Sequence, residues 1–205
     1  MIGIHLCFSC YGFWLPNDPR GSWSDAVYSD GLAVHGPAIR ATSRRSHAWN
    51  PHDIRVRREA KADLKRPPVL FNGEQAREVA RGFADYCVKN GVICWAAAVM
   101  PGHVHLVLAR AWADDDPADR LKGRASAFLR RAGLHPFFGY EDARGRLPTP
   151  WAVGRWRVFL DTEGEVARAV RYVETNPEKD GLRPQGWRFV QRPGWMPQRG
   201  TIVGG

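Results

Sequence analysis

A ten-residue segment with two histidines, His103 and His105, constrains this chain more than any other feature. The segment runs from Val99 to Leu108 with the sequence VMPGHVHLVL. In a β-strand, residues two apart point to the same face, so both imidazoles project together while the intervening apolar side chains face a core. Two neutral imidazoles side by side form half of a metal site. The same spacing fits a histidine pair on a half-exposed strand that binds nothing.

Length and charge narrow the class of protein. The chain has 205 residues, 44% of them hydrophobic, which suits one domain with insertions better than two large domains. It has no run of about 18 apolar residues and begins without a leader pattern. We therefore expect a soluble, cytoplasmic protein that associates with the nucleoid by binding DNA. A formal net charge of +9, with Lys and Arg interleaved among nine Trp and nine Phe, favours nucleic acid over a membrane as the partner.

We expect the cysteines to be reduced thiols and not to form a disulfide framework. They are Cys7, Cys10, Cys87 and Cys94. Cys7 and Cys10 have the spacing of half a zinc site, which His103 and His105 could complete. Against a zinc site, the chain has no second closely spaced cysteine pair, and Cys7 fits strand alternation as a small hydrophobic residue.

Hydrophobic periodicity and turn residues predict alternating strands and helices. The predicted strands are Ile2–Cys10, Val92–Met100, His103–Ala109 and Trp151–Leu160, and the predicted helices are Glu74–Lys89, Pro117–Arg131 and a last helix that begins at Thr162. This order favours an α+β sandwich of ferredoxin-like or RRM-like type, with a central antiparallel sheet and the helices on one face.

A long insertion rich in Pro and Gly spans residues 15–71, with one short helix near Ile54–Leu64. Its second half, from residue 40 to residue 66, carries nine Lys and Arg against three acidic residues. A solvated face and a nucleic-acid contact explain such a run equally well.

The last predicted helix carries the second informative group. A capping box begins it at Thr162, and Asn176-Pro177 is predicted to end it, because the residue before proline resists the helical region. Tyr172 lies about 110° from the centre of the apolar stripe, and Asn176 and Arg168 share its flank. The group is either a tyrosine packed at the core edge with polar neighbours, or a nucleophile, a metal ligand and a phosphate contact.

Together these residues resemble the single-tyrosine HUH transposases, and among them the REP-associated tyrosine transposases. The matching pieces are the first strand, the hairpin Met100–His105, the helix segment Leu121–Ser126 and the segment Arg171–Leu182. The opening segment Tyr11–Gly21 is similar to a subset of the family. The match covers residues 2–10 and 74–182 well, and residues 15–71 and the tail loosely.

Two departures from the family pattern stand out. Gly102 occupies a position where the family often has Asn or Glu. Glu178-Lys179-Asp180 replaces a commoner Val, Arg or Lys, Ala sequence, which makes this helix end less basic. Neither departure removes a reactive group.

The resemblance implies one catalytic domain over residues 1–182, with the insertion at 15–71, followed by an irregular basic and aromatic tail at 183–205. It implies Tyr172 as the nucleophile and His103, His105 and Asn176 as ligands of one Mg²⁺ or Mn²⁺ ion. The expected reaction is cleavage and transfer of single-stranded DNA through a 5′-phosphotyrosine intermediate, at sites beside a hairpin. The expected partners are single-stranded or hairpin DNA, bound by a monomer or a homodimer.

Basic residues on two helices are the expected DNA contacts, because Lys and Arg track phosphates. They are Lys122, Arg124, Arg130, Arg131 and Arg168.

Two alternative functions belong to other classes. A domesticated, non-catalytic DNA-binding protein would share the charge and the aromatic residues, although the intact His103, His105 and Tyr172 argue against lost activity. A histidine-triad nucleotide hydrolase would need a third histidine where Val107 stands. The sequence leaves open the DNA target, and whether the tyrosine helix docks on its own chain or on a partner's.

Overall fold

The computed structural model describes residues 1–13, 15, 18, 30–36, 53–110 and 117–197. Most of the predicted insertion, the basic residues at positions 40–45, the acidic run 114–116 and the end of the tail lie outside these residues. The elements in chain order are β1 (Gly3–Ser9), α1 (Asp30–Ala33), α2 (Ile54–Ala62), α3 (Gly73–Asn90), β2 (Cys94–Val99), β3 (His103–Ala109), α4 (Pro117–Arg131), β4 (Trp156–Leu160) and α5 (Glu163–Lys179).

The four strands form one antiparallel sheet in the order β2-β3-β1-β4, which confirms the predicted α+β fold class. In the register of β1 and β3, Cys7 lies opposite His105 and Ser9 lies opposite His103. Directly opposed residues of an antiparallel pair share a face, so both histidines lie on the face of β1 that also carries His5.

The helices cover both faces of the sheet, which corrects the expectation that they share one. The core beneath α3 and α4 contains Ile4, Leu6 and Phe8. On the opposite face, α5 packs its stripe, which includes Val170 and Val173, on β2 and β3. The alternating polar residues of β1 resemble a solvent-facing side, but β2 carries small alanines on that face, and these let a helix dock closely.

The ends of α3 follow the predicted signals. Asn72 accepts hydrogen bonds from the backbone N–H groups of Glu74 and Gln75, and Gln75 completes a capping box. Gly91 ends the helix in the left-handed region, with φ of 62°.

The capping box of α5 is also present at Thr162 and Glu165. The helix does not end at Asn176-Pro177 as predicted, but continues to Lys179 with Pro177 inside it. Proline removes one helical hydrogen bond, and the following turn is held by the N–H groups of Asp180 and Leu182, which donate to the Pro177 carbonyl at 3.1 and 2.9 Å. Asn176 therefore lies on the same continuous helix as Tyr172.

The described part of the tail, residues 183–197, contains no helix or strand but packs along the outer edge of β2. Gln185 donates from Nε2 to the Val99 carbonyl at 2.9 Å, and its Oε1 accepts from the Val99 N–H at 2.8 Å. Further along, the Gln191 N–H donates to the Cys94 carbonyl at 2.8 Å. The tail thus satisfies backbone groups that an edge strand leaves exposed. In the described part of the chain, no helix has the length and apolar character to cross a membrane.

Candidate active site

Tyr172 of α5 lies against the histidine-bearing face of the sheet. Its ring centroid is 5.5 Å from that of His105 and 5.7 Å from that of His5, and both contacts are edge-on. The residue is still 43% exposed. Partial burial raises the pKa of the phenol above its ordinary value, and Cys7 and Asp180 add to the shift. The hydroxyl is therefore protonated at neutral pH.

The predicted pair, His103 and His105, projects from β3 toward the same side. The two ring centroids are 4.9 Å apart and the rings are perpendicular. Burial lowers the pKa of His105 well below its ordinary value, and electrostatic interactions with His103, His5 and Lys179 lower it further. A neutral imidazole is the form that binds metal ions.

His5 of β1 is the site residue that the sequence analysis missed. Its Nε2 lies 3.1 Å from Nδ1 of His105, and burial lowers its pKa to about 4. Strand alternation places His5 on the same face of β1 as Cys7, but only the register of β1 with β3 brings it next to His105.

Cys7 also touches His105, since its Sγ lies 4.0 Å from Nε2 of that imidazole. Burial raises the pKa of this thiol to about 12, so it remains protonated. Cys10 points to the other face of the sheet, where it donates to the Pro101 carbonyl at 3.7 Å. The two cysteines therefore do not form half of a zinc site.

Asn176 lies one turn after Tyr172 on α5 and is only 8% exposed. Its Nδ2 has no hydrogen-bond partner among the described residues. The oxygen and nitrogen of an amide exchange places by a flip, so either atom can occupy this position. Within the described residues, no three side chains of His, Cys, Asp or Glu are grouped to hold a metal ion, and an amide would be the third donor beside the two histidines.

Phe13 explains why residue 102 is a glycine in this chain. Its ring lies 5.1 Å from that of His103, and a Cβ on Gly102 would come within 2.1 Å of the Phe13 ring. Phe13 therefore occupies the space that a side chain at position 102 would need, and it packs against a predicted metal ligand.

The basic residues predicted to contact DNA separate into three groups. Lys122 is buried, and its Nζ donates to the carbonyls of Ala152 and Gly154 at 3.0 and 2.6 Å, so its ammonium group is engaged within the fold. Arg124 is paired with Asp85. Both lie on α4, across the sheet from Tyr172, as do the exposed Arg130 and Arg131.

Three cations lie on the same helix as Tyr172, namely Arg168, Arg171 and Lys179. Arg168 is exposed on α5, one turn before the tyrosine. Lys179 was not predicted as a site residue, and its Nζ lies 4.6 Å from the centroid of the Tyr172 ring. Arg168 precedes Tyr172 on α5 and Lys179 follows it, so the helix carries a cation on either side of the tyrosine.

No protein-family model matches this sequence, and no curated protein matches it. Among solved structures, a REP-associated tyrosine transposase bound to a REP hairpin is similar with a TM-score of 0.45 and 13% identity, over 89% of this chain and 70% of that chain. A protein of Deinococcus radiodurans R1, provisionally described as a transposase, is similar with a TM-score of 0.36 and 18% identity, over 85% of this chain and 89% of that chain. Both neighbours carry the transposase name.

Proposed function

We propose that this chain is a metal-dependent nuclease and strand transferase for single-stranded DNA, with Tyr172 as the nucleophile. The observation that carries the proposal is the position of Tyr172, which is exposed while its ring lies 5.5 Å from that of His105. A hydroxyl nucleophile beside imidazoles that can hold a metal ion is a combination able to cleave a phosphodiester through a covalent intermediate.

His103, His105 and Asn176 would hold the divalent ion. Their donor set fits Mg²⁺ or Mn²⁺, because an amide oxygen suits hard ions and imidazole suits Mn²⁺. The unpartnered Nδ2 of the buried Asn176 supports this assignment, since a buried amide end without a protein partner leaves a donor position for a ligand after a flip. When bound, the ion supplies Lewis-acid polarisation of the scissile phosphate.

The proposed reaction conserves the energy of the phosphodiester bond. The Tyr172 hydroxyl loses its proton to solvent as its oxygen bonds to phosphorus, and the bond from phosphorus to the 3′ oxygen breaks. The 3′ oxygen takes up a proton and leaves as a hydroxyl, while the 5′ phosphate remains on Tyr172. Attack by another 3′ hydroxyl reverses these steps and joins the strand without ATP.

The substrate is single-stranded because the scissile phosphate must enter between a helix flank and the sheet. Arg168 and Lys179 would bind the phosphates on either side, because both are exposed cations on the surface of α5. The family resemblance of the sequence motifs adds a hairpin beside the cleavage site.

The test is covalent capture of DNA by the purified protein. Single-stranded oligonucleotides that carry the hairpins flanking the gene are incubated with Mn²⁺ or Mg²⁺, and adducts are separated on a denaturing gel. We expect adducts with the wild type and none with Tyr172→Phe. Tyr140→Phe is the matched control, since Tyr140 is 44% exposed and packs on Phe137 beneath the other face of the sheet.

Adducts that survive in Tyr172→Phe would contradict the assignment of the nucleophile. Binding of these oligonucleotides without any adduct, in the presence of either metal, would favour the non-catalytic DNA-binding alternative. The histidine-triad alternative is disfavoured, because Val107 stands at the position of the third histidine and is fully buried beneath α5.

A further inference from the structure

We propose that His5 is a positioning residue that holds His105 in the tautomer able to bind a metal ion. The inference deepens the proposed function and rests on it, because it concerns the same site. Its basis is the approach of the His5 Nε2 atom to the His105 Nδ1 atom at 3.1 Å, a hydrogen-bond distance between two buried side chains.

The two facing nitrogens share one hydrogen atom, because at a separation of 3.1 Å one ring nitrogen donates and the other accepts. The hydrogen therefore lies either on Nε2 of His5 or on Nδ1 of His105.

The position of that hydrogen decides what the other nitrogen of His105 can do. If His105 donates from Nδ1 to His5, its Nε2 carries a lone pair and can bind a metal ion. If His5 donates, Nε2 of His105 carries the hydrogen and cannot be a ligand. In metal sites the ligating histidine usually donates its second N–H to a neighbouring acceptor, and this contact sets both tautomer and orientation.

The surroundings of His105 favour the first arrangement. On its Nε2 side stands the Cys7 thiol, at 4.0 Å, which is protonated and can donate a weak hydrogen bond to a lone pair. On its Nδ1 side stands His5, which can accept. A continuous chain of donation from Cys7 to His105 to His5 gives each of the two contacts one donor and one acceptor.

Packing holds His5 in the accepting position. It is 6% exposed, and its ring contacts Trp156 edge-on at 5.0 Å and Tyr172 at 5.7 Å. The backbone of β1 fixes its Cα opposite Val107, one diagonal step from His105. Because packing already fixes the accepting atom of His5, little conformational entropy is lost when His105 binds a ligand.

The experiment compares His5→Phe, which keeps an aromatic ring but removes the acceptor, with His5→Gln, which restores an acceptor oxygen. The first readout is the tautomer of His105 in the metal-free protein, from long-range proton–nitrogen NMR correlations. We expect the Nδ1–H form in the wild type and in His5→Gln, and the Nε2–H form in His5→Phe.

The second readout is Mn²⁺ affinity, measured by EPR without DNA. Loss of an outer partner of a ligating histidine typically costs about 10- to 100-fold in metal affinity, and we expect this loss in His5→Phe and only a few-fold loss in His5→Gln. His135→Phe is the control, since His135 is equally buried at 6% but packs against Phe137 on the other side of the sheet.

Three results would overturn the role of His5. They are an Nε2–H form of His105 in the wild type, an unchanged tautomer and Mn²⁺ affinity in His5→Phe, and a pulsed-EPR signal from a third coordinating imidazole that disappears in His5→Gln. The last result would make His5 a ligand itself. Wild-type protein that binds no Mn²⁺ would contradict the metal site and the role of His5 together, whereas Mn²⁺ binding without DNA adducts would contradict only the proposed nuclease.

Discussion

Tyr172 and His105 stand edge to face with their ring centroids 5.5 Å apart, although they come from α5 and β3. The contact depends on docking of α5, whose stripe residues Val166, Val170 and Val173 are fully buried against the sheet. Both side chains belong to one chain, so this structure assembles the tyrosine and the histidine pair without a second copy.

Asn176→Ala is expected to weaken Mn²⁺ binding by about tenfold or more while changing the unfolding free energy by less than about 1 kcal/mol. The stability effect is small because Nδ2 gives up no hydrogen bond to a described residue. Asn176→Asp keeps an oxygen donor and should retain binding. EPR titration and urea unfolding measure the two quantities. Equal Mn²⁺ affinity in Asn176→Ala and wild type would remove Asn176 from the ligand set.

Lys122→Met is expected to destabilise the fold by about 2 kcal/mol, because it leaves the Ala152 and Gly154 carbonyls without their charged donor. Affinity for single-stranded DNA should be unchanged at temperatures where the variant is folded. Arg131→Met, on the exposed side of the same helix, is the control and should change stability by no more than about 0.5 kcal/mol. A Lys122→Met variant of normal stability that binds DNA more weakly would contradict this structural role and support Lys122 as a DNA contact.

Gln185 pairs with Val99 as a strand residue would, and its removal tests whether the tail supports the sheet. Gln185→Ala removes both hydrogen bonds to the edge of β2, and we expect a loss of about 1–3 kcal/mol in unfolding free energy. Gln185→Glu keeps the acceptor for the Val99 N–H but loses the donor to its carbonyl, and should fall between wild type and alanine. Identical urea transitions for all three proteins would show that the tail contributes nothing to β2.

His135 predicts a pH dependence of stability that is separate from the candidate site. Burial lowers its pKa, Arg130 lowers it further and Glu141 partly opposes the shift, while its Nδ1 accepts from the Phe137 N–H at 3.3 Å. The unfolded chain therefore binds the proton more readily, so the stability that neutral His135 contributes is present above its unfolded pKa and is lost as the pH falls below it.

Replacement of His135 by Gln isolates this contribution from that of the other buried histidines. The unfolding free energy of His135→Gln should fall less steeply than that of the wild type between about pH 7 and pH 5, around the ordinary histidine pKa of about 6.5. Urea unfolding at each pH gives both curves. Parallel curves would show that His135 titrates alike in the folded and unfolded chains.

Local signals in the sequence were sufficient for the elements that carry the site. β3 and α4 have the predicted bounds, and α3 ends before Gly91, where a positive φ requires glycine. The position of Tyr172 outside the buried stripe also follows from helical spacing, because 3.6 residues per turn determine which flank a residue occupies.

Contacts between residues far apart in the sequence could not be predicted from these local signals. Alternation shows that His5 and Cys7 share a face of β1, but their proximity to His105 follows from pairing between strands about one hundred residues apart. Likewise, helical spacing alone predicts an exposed side chain for Lys122. Its burial depends on the distant loop whose Ala152 and Gly154 carbonyls accept hydrogen bonds from it. The sequence predicted helices on only one face of the sheet because β1 alternates polar with apolar residues, as a strand with one solvent-exposed face does.

The central claim is that Tyr172 becomes covalently joined to DNA, and peptide mapping of the adduct tests it most directly. Wild-type protein is incubated with a single-stranded hairpin oligonucleotide and Mn²⁺, digested with protease and nuclease, and analysed by tandem mass spectrometry. The account predicts one nucleotide-bearing peptide, with the 5′ phosphate on the Tyr172 oxygen. A nucleotide on any other residue, or cleaved DNA with no protein attached, would contradict it.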